Sequence, residues 1–390
     1  MTAQRQTPSF WILVAVSTIG PLALNIFMPS LPGLQRSFGI SYGTAQLTLT
    51  LYLAGTALCQ LFYGPLSDRV GRRLPLLGGM TLFVASSVLA AVAWNIETLI
   101  AARLLQAVGG SAGIVLARAM VRDVYDREKS ASVIAYITMA FVVAPMIAPI
   151  VGGVLDQFFG WQASFWLLAI LGASTLTAAL FLLPETHTGG TATLNFLGGA
   201  AQLFKIPRFR GYAFTLAFAS GVFFSFLGGA PHVMIDVLKR TPVEYGLWFA
   251  AVSLGYMAGN FVSGRFTQAI GIDRLVLYGA VATLSGGILC FLAAISGLLS
   301  PATLFVPMIF AAFGNGLTIP NATAGAISVD PRLTGAAAGW SGFTQMSFGA
   351  LASQLVGSLQ DDWPQALFWC MAALSILALA SHLMSMRQRA

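Results

Sequence analysis

Long apolar runs separated by short polar segments cover almost the whole chain. Twelve runs of about 20 or more mostly apolar residues follow one another, and each is long enough to cross the hydrocarbon core of a bilayer as a helix. They fall near residues 9–33, 43–64, 74–94, 98–122, 131–155, 161–183, 211–236, 244–264, 274–297, 302–326, 334–358 and 364–386. This pattern predicts an all-α membrane protein with twelve transmembrane helices.

The longest polar interruption separates the sixth and seventh runs. It predicts a bundle of six helices over residues 1–184, a cytoplasmic linker over 185–210 and a second six-helix bundle over 211–390. Residues 194–204 of the linker favour a short amphipathic helix lying on the inner leaflet. The second half also repeats the first, since Gly264 and Gly271 stand 200 residues after Gly64 and Gly71.

The composition supports a membrane protein. With 57% hydrophobic and only 8% charged residues, the chain has too little polar surface for a soluble domain. Cys59, Cys290 and Cys370 lie far apart within apolar runs, which indicates neither a disulfide framework nor a metal site. Only Arg5 precedes the first run and no small-residue cleavage site follows it, so we interpret this run as a span and not as a signal peptide.

The distribution of basic residues predicts the orientation. If both termini are cytoplasmic, 16 of the 20 Lys and Arg residues lie at cytoplasmic ends or loops, as the positive-inside rule requires. The exceptions are three outer residues and one within a span: Arg36, Lys239, Arg240 and Arg103. Tryptophans then occupy the outer ends of three spans, where an aromatic belt is expected: Trp94, Trp161 and Trp363.

One short loop carries a dense group of charges and glycines. Residues 64–73, between the second and third runs, read GPLSDRVGRR. An orientation signal alone would account for its arginines, which are Arg69, Arg72 and Arg73. It would not account for the single acid, Asp68, or for the glycines Gly64 and Gly71, where backbone can approach closely or turn sharply.

This loop resembles the signature G-x-L-[SA]-D-R-x-G-R-R of the major facilitator superfamily, and all eight specified positions match. The resemblance implies that Asp68 meets the N-terminus of a helix starting near Leu333 or Thr334, where the helix dipole is positive. It also implies that Arg72 pairs with Asp123, through a contact that breaks when an inner gate opens. We place Arg118 in the same gate network.

A second resemblance concerns the fifth span. Its residues 144–153, APMIAPIVGG, resemble the proline and glycine motif of superfamily antiporters, a mark of exporters carried here by Pro145, Pro149, Gly152 and Gly153. In physical terms the motif predicts a kinked helix that packs closely through small residues. Residues 103–110 (RLLQAVGG), 117–125 (ARAMVRDVY) and 319–324 (IPNATA) resemble the bicyclomycin and chloramphenicol resistance (Bcr/CflA) type of drug:proton antiporter.

This resemblance implies a monomeric exporter that works by alternating access, couples to protons and binds substrate between its halves. One departure concerns the coupling. The subfamily commonly carries an acid shortly before the Pro-x-x-Pro stretch of helix 1, and Asn25 stands there instead. An asparagine cannot bind and release a proton, and the middle third of every predicted span lacks Asp and Glu. His232 is a titratable alternative, although such a histidine is more often a polar residue near the interface.

Arg103 lies inside the fourth predicted span, where a charge costs roughly 2.5 to 3.5 kcal/mol on insertion scales. It is therefore expected to face the central cavity and to interact with substrate or with a migrating proton. The structural alternative is an arginine satisfied by helix carbonyls and by Asn25 or Gln106.

Further cavity candidates follow from the general composition of ligand pockets, which combine apolar walls with a few polar groups. Each of them could equally face lipid or a neighbouring helix. They are Tyr136 and Met139 in the fifth span, Phe223 and Phe226 in the seventh, and Asn315 and Asn321 in the tenth.

The sequence gives little support for an enzyme, an ATP-driven transporter or a nucleic-acid-binding protein. Three scattered histidines, His187, His232 and His382, form no metal cluster or catalytic pairing, so we expect no enzyme activity, metal or cofactor. The sequence lacks a phosphate-binding loop for ATP-driven transport. Its net charge of +7 is explained by cytoplasmic loops and anionic lipid and not by nucleic acid.

We therefore expect an exporter of small organic molecules, most simply an amphenicol-type drug, in a bacterial inner membrane. Export of an anionic metabolite or a carboxylate siderophore, with Arg103 as the counter-charge, is the alternative within transport. A membrane sensor or scaffold is the alternative from another class, and it would not explain the gate loop.

Overall fold

The computed structural model describes residues 7–187, 196–330 and 333–387, and within them helices account for nearly all of the chain. The N-terminal group of helices is α1 Phe10–Ile26, α2 Leu31–Phe38, α3 Tyr42–Val70, α4 Arg73–Ala91, α5 Ile96–Val124, α6 Arg127–Phe159 and α7 Gln162–Leu182. A single 3₁₀ turn, Met28–Ser30, joins α1 to α2. The first predicted span is therefore interrupted, because the prolines at 29 and 32 lack the N–H groups that a continuous helix needs.

The short helix α8, Phe196–Leu203, lies in the connection to the C-terminal group. That group is α9 Pro207–His232, α10 Pro242–Ile270, α11 Ile272–Ile295, α12 Pro301–Ile327, α13 Thr334–Leu359 and α14 Ala366–Arg387. A π-helical turn, Val233–Val237, extends α9. Of the predicted runs, the first covers α1, the 3₁₀ turn and the start of α2, and each of the others overlaps one long helix. Among the residues described, nine helices are long and apolar enough to cross a membrane.

Local sequence sets many of the helix ends. Asn95, Thr241 and Ser300 precede α5, α10 and α12, and each side chain accepts a hydrogen bond from the backbone N–H three residues later. Glycine ends other helices, because only glycine adopts the left-handed backbone freely. Gly71 after α3 has φ +90° and Gly271 after α10 has φ +92°. The glycine repeat seen in the sequence therefore marks the same helix end in both groups.

Within each group the helices pack on one another, and two pairs of long helices pack across the boundary between the groups. In the N-terminal group α5 packs against α1, α3 and α4, and in the C-terminal group α12 packs against α9, α10 and α11. Between the groups, α3 packs against α13 and α6 against α10. Large apolar side chains on the outer surface remain exposed, among them Phe62 at 61%, Phe181 at 83% and Phe261 at 73%. Such an apolar outer surface is what a lipid environment requires.

The linker helix α8 was predicted to lie on the inner leaflet, and its observed position differs. Leu203, at the end of α8, is fully buried, and the ring of Phe204 lies 6.1 Å from that of Trp340 on α13. The end of α8 therefore packs on the C-terminal group and does not only lie on a membrane surface. The division of the chain into bundles over 1–184 and 211–390 stays a prediction, and residues 188–195 of the linker lie outside the described residues.

Candidate functional site

The predicted gate loop forms a tight turn between α3 and α4. Gly71 has φ +90°, and a Cβ at this position would lie 2.6 Å from a carboxylate oxygen of Glu185. Its backbone conformation favours glycine, and an added Cβ would also have to displace the Glu185 carboxylate. Gly64 is different, because among the described residues an added Cβ would meet no atom within 4 Å. The close approach expected at Gly64 is absent from this conformation.

Arg72 joins the loop to α5, as predicted. Its Nε lies 2.9 Å from Oδ2 of Asp123, and its Nη1 lies 2.5 Å from both Oδ1 of Asp68 and Oγ of Ser67. Burial by itself would lower the pKa of Arg72, but the hydrogen bonds and charges of Asp123 and Asp68 outweigh it and raise the pKa. Because one guanidinium holds two carboxylates, it fixes the end of α3 against the end of α5.

Glu185 completes this cluster, and the sequence analysis did not single it out. Its carboxylate accepts hydrogen bonds from the backbone N–H groups of Arg72 at 2.8 Å and Arg73 at 3.0 Å, at the start of α4. It also accepts from the N–H groups of Thr186 and His187. Partial burial raises the pKa of Glu185, but the four N–H donors together outweigh it and leave the pKa lowered. A single acid at the start of a polar linker gave no signal of this role in the sequence.

Other members of the predicted gate lie nearby. Arg69 is exposed, and Arg73 donates to the carbonyl oxygen of Leu180 on α7 at 2.7 Å. Arg118 lies on α5 and is half-buried. The helix that Asp68 is expected to meet begins at Thr334, as the sequence analysis anticipated. Contact between Asp68 and that helix, and a gate role for Arg118, stay predictions. We call this end of the molecule, with the α3–α4 turn, the arginine-rich end.

The two groups of helices meet at the opposite end, which we call the joined end. It comprises α2, the starts of α3 and α10, and the ends of α6, α9 and α13. Arg36 of α2 pairs with Asp236 in the π-helical turn, with 2.6 Å between Nη1 and Oδ1. Nδ1 of His232 lies 3.2 Å from the other carboxylate oxygen of Asp236, and the His232 ring lies 4.8 Å from the ring of Tyr42. The histidine considered for a proton role therefore belongs to a contact between the groups.

Hydrogen bonds continue this contact along α3 and α13. Gln46 donates to Oγ of Ser353 at 2.5 Å, and both side chains are fully buried. One helical turn further, Thr50 donates to Oε1 of Gln354 at 2.7 Å. Tyr42 donates through its hydroxyl to the carbonyl oxygen of Gly228 on α9 at 2.6 Å. A buried polar layer thus joins the groups across this end.

The antiporter motif on α6 contacts helices of both groups. Gly152 lies against the carbonyl oxygen of Ile26 at the end of α1, with no room for a side chain. A Cβ at Gly153 would lie 2.5 Å from the carbonyl oxygen of Pro242 on α10, and one at Gly246 would lie 2.5 Å from that of Pro149. The predicted close packing is present. Pro145 and Pro149 lie within the single helix α6.

Arg103 is enclosed within the N-terminal group and does not face a central cavity in this structure. Its side chain has 0% exposure. Nη1 donates to the carbonyl oxygen of Ala23 at 3.1 Å and to Oε1 of Gln106 at 2.5 Å. The guanidinium carbon also lies 4.3 Å from the centroid of the Tyr52 ring, within the range of a cation–π contact. The structural alternative of helix carbonyls and Gln106 therefore describes this arginine.

The asparagines of the predicted cavity differ in their surroundings. Asn25 is buried and donates to the carbonyl oxygen of Pro21 at 2.8 Å. Asn321 links α12 to α10, because it donates to Ser263 at 2.7 Å and accepts from Thr267 at 2.9 Å. Asn315 is fully buried, and neither of its side-chain polar atoms has a hydrogen-bond partner among the described residues. Of the three, Asn315 alone keeps its full side-chain hydrogen-bonding capacity.

The aromatic residues predicted to line the cavity also differ in burial and in their neighbours. Phe226 is fully buried against Phe305 of α12, with ring centroids 5.3 Å apart, so it belongs to the core of the C-terminal group. Phe223 is half-buried beside Phe249 of α10. Tyr136 is 56% exposed and lies edge-on to Phe10 of α1. The side chain of Met139 lies outside the described residues.

The C-terminal group has a polar cluster of its own at the arginine-rich end, which sequence reasoning missed. Tyr212 donates to Oδ1 of Asp273, and Nη2 of Arg208 lies 3.8 Å from the other oxygen of this carboxylate. Nε2 of His382 lies 2.8 Å from the carbonyl oxygen of Asp273. These contacts join the starts of α9 and α11 to the end of α14, and a fixed sequence spacing does not reveal them.

Comparison with known proteins identifies the class. The chain is 30% identical to Multidrug resistance protein D of Escherichia coli (strain K12) over 367 residues, which is 90% of this chain and 89% of that protein. It is 30% identical to the Chloramphenicol resistance protein of Pseudomonas aeruginosa over 319 residues, which is 81% and 75% of the two chains. The crystal structure of a POT family transporter in complex with 5-aminolevulinic acid has the same fold, with a TM-score of 0.79 over 98% of this chain and 97% of that one, at 15% identity.

The protein is therefore a multi-pass membrane transporter of small molecules and not an enzyme. The sequence pattern of the Major Facilitator Superfamily matches residues 13–353. The chain belongs to this superfamily, and the prediction made from the GPLSDRVGRR loop is confirmed.

Proposed function

We propose that this protein is a secondary active exporter of drug-like small organic molecules, operating by alternating access in the inner membrane of a bacterium. The observation that carries the proposal is the similarity over most of both chains to Multidrug resistance protein D and to the Chloramphenicol resistance protein. The antiporter motif on α6, with its close packing against α1 and α10, supports export over import.

The arrangement of the two groups supports alternating access. They touch through buried hydrogen bonds at the joined end, which is the outer end in the orientation predicted from the basic residues. At the arginine-rich end the gate residues Asp68 and Asp123 are held by Arg72 within the N-terminal group. In the proposed cycle the contacts at the joined end break and the groups close at the arginine-rich end, so that substrate is released outward.

We propose protons as the coupling ion, with the protein working as a monomer. A membrane transporter without a phosphate-binding loop needs an ion gradient to move substrate uphill. The usual acid of helix 1 is replaced by Asn25, whose amide does not titrate. The proton is therefore carried elsewhere, and His232 with Asp236 is the candidate pair that we would test first, because the two side chains are adjacent and titratable.

The surroundings of Arg103 argue against an anionic substrate that uses this arginine as its counter-charge. An anion using Arg103 as its counter-charge would have to displace Ala23 and Gln106 from the guanidinium and pass the rings around it. We therefore place export of an anionic metabolite or carboxylate siderophore second, as an alternative outcome of the same experiment.

The test uses everted vesicles that contain the overproduced protein and hold an acid-inside proton gradient, with a fluorescent pH probe in the lumen. We expect the lumen to become less acidic when a chloramphenicol-type drug is added, because drug uptake into the vesicle releases protons. Vesicles carrying Arg72→Ala serve as the control, since this variant loses the Asp68 and Asp123 contacts and should not respond although it is inserted. A response to carboxylate siderophores alone, or an equal response in the Arg72→Ala vesicles, would contradict the proposal.

A further inference from the structure

Helices α3 and α13 run antiparallel with a constant register along the contact between the groups. Near the joined end Gln46 lies opposite Ser353. Further along, Gln60 contacts Gly342, and a Cβ at Gly339 would lie 3.5 Å from Leu61. Each step along α3 toward the arginine-rich end is matched by a step backward along α13. The N-terminus of each helix therefore lies beside the C-terminal end of the other.

At the joined end this register brings a carboxylate to the N-terminus of α3. Asp361 follows α13, and its Oδ2 accepts a hydrogen bond of 2.7 Å from the backbone N–H of Tyr42, the first residue of α3. The other oxygen, Oδ1, accepts from Nε2 of Gln35 at 3.4 Å. Ser41 caps the N–H of Thr44 in the same turn. Asp361 thus satisfies a donor left open by the local cap and faces the positive end of the α3 dipole.

Asp68 holds the corresponding position at the other end of the pair. It lies in the last turn of α3, and the observed register, continued past Gln60 and Gly342, places it beside the start of α13 at Thr334. The residue before that start is Leu333, whose apolar side chain cannot cap the first turn. In this structure Asp68 is bound by Arg72, and among the described residues a Cβ at Gly335 would meet no atom within 4 Å.

We propose that Asp361 is a gate residue of the transport cycle and the counterpart of Asp68 at the opposite end of the α3–α13 pair. Each carboxylate belongs to one group of helices and binds the helix N-terminus that the other group presents. Asp361 makes its contact when the joined end is closed, and Asp68 makes its contact when the arginine-rich end is closed. This inference rests on the alternating access of the proposed function.

The reason for the alternation is geometric. The two groups are joined through α3 and α13, so a rocking motion that closes one end of this pair separates the other. A charge near a helix N-terminus acts only over the first turn, and its effect disappears when the helix moves away. The two contacts therefore oppose one another, and each biases the populations of the two conformations.

The test follows the accessibility of each end by cysteine labelling of the purified protein. The background replaces Cys59, Cys290 and Cys370 by serine. One reporter is Ser353→Cys, fully buried at the joined end, and the other is Gly335→Cys, exposed at the start of α13. Asp361→Asn keeps the size of the side chain and removes its charge. We expect it to raise the labelling rate at position 353 by about two- to fivefold and to lower the rate at position 335.

The matched control is Asp362→Asn, the adjacent exposed acid, for which the described part of the chain contains no hydrogen bond or ion pair. It should leave both rates as they are. The proposal is overturned if Asp361→Asn raises both rates, which general loosening would do, or if it changes position 353 no more than the control does. The labelling needs neither substrate nor proton gradient, so a failure of the drug-efflux proposal in vesicles would be a separate result.

Discussion

The role of a charged residue in this protein depends on the groups that it contacts, and its residue type and sequence position alone do not reveal that role. Glu185 lies in a polar segment that looks like plain linker, yet four backbone N–H groups converge on its carboxylate. Arg103 lies in an apolar run that suggests function, yet carbonyl oxygens, an amide and an aromatic ring hold it inside one group of helices. These contacts offset part of the cost of a charge within the membrane, while Nη2 of Arg103 has no hydrogen-bond partner among the described residues.

At this scale we predict that Glu185→Gln destabilises the folded protein by about 0.3–1 kcal/mol, because an exposed charge at a helix start contributes this much and is screened by salt. The amide keeps one acceptor oxygen but loses the charge that faces the start of α4. Thermal unfolding of the purified protein in detergent at pH 7 measures the difference. The difference should become smaller at high ionic strength.

The same variant tests the pH dependence. The pKa of Glu185 is lowered in the folded state, so its stabilisation is fully present above the unfolded pKa of about 4.3 and is lost as the pH falls through the folded value. Wild type and Glu185→Gln should therefore differ at neutral pH and converge as the pH falls below the lowered pKa that Glu185 has in the folded state. A difference that stays constant over this range would contradict a role of the charge.

At the scale of helices, the contact between the two groups depends on backbone approaching backbone. The motif on α6 and a glycine on α10 face one another, with Gly153 against Pro242 and Gly246 against Pro149. No side chain fits between a glycine and a carbonyl oxygen at such distances. Small residues thus allow the close helix packing that stabilises membrane bundles in the absence of a hydrophobic driving force.

We predict that Gly153→Ala and Gly246→Ala each destabilise the joined end by about 1–3 kcal/mol, the usual cost of overpacking. Each new methyl group would approach a backbone carbonyl oxygen at 2.5 Å, so the helices must separate. The readouts are thermal stability and the labelling rate of the Ser353→Cys reporter. Gly264→Ala, in the same helix α10, is the matched control, because its Cβ would meet no described atom within 4 Å. Equal effects at positions 246 and 264 would refute the packing argument.

At the scale of the whole molecule, several contacts join the two groups of helices at the joined end. Charged, polar and glycine contacts join the groups at one end, while Gly64 and Gly335 at the other end face open space among the described residues. In the cycle that we propose, these contacts hold the conformation that is closed at the joined end. The Arg36–Asp236 pair contributes little to it, since Arg36 is 61% exposed and surface ion pairs are worth about 0–1 kcal/mol.

We predict that a disulfide across the joined end stops transport reversibly. The pair Thr50→Cys and Gln354→Cys replaces residues on facing helices whose Oγ1 and Oε1 atoms lie 2.7 Å apart. Oxidation should cross-link most of the protein and abolish drug transport in vesicles, and a reductant should restore it. The control pair Gly64→Cys and Gly335→Cys lies at the arginine-rich end, where an added Cβ at either glycine would meet no described atom within 4 Å, and it should cross-link several-fold more slowly. Full transport by the oxidised double variant at positions 50 and 354 would contradict a moving joined end.

The sequence alone predicted much of the fold and part of the candidate site, and the reason differs from residue to residue. Arg72 and Asp123 were paired in advance because the loop over residues 64–73 resembles the superfamily signature, and this resemblance implies the pair. Gly71 was identified as a turn because few residues other than glycine adopt its backbone conformation. Phe226 and Asn321 were named as cavity residues, and they instead pack within the C-terminal group. Spacing along a helix does not tell which neighbour a given face will meet.

Hydrophobic periodicity, glycine and proline positions and the loop motif determined the long helices, the turn at Gly71 and the superfamily, because these follow from interactions between residues near one another in the chain. The tertiary structure decided what depends on distant residues. It enclosed Arg103, brought Glu185 to the start of α4, and placed Asp361 on the N-terminus of α3. The contacts of Glu185 and Asp361 join segments that lie between about a hundred and three hundred residues apart. Arg103 is enclosed by several helices at once. Such partners are brought together only when the helices pack.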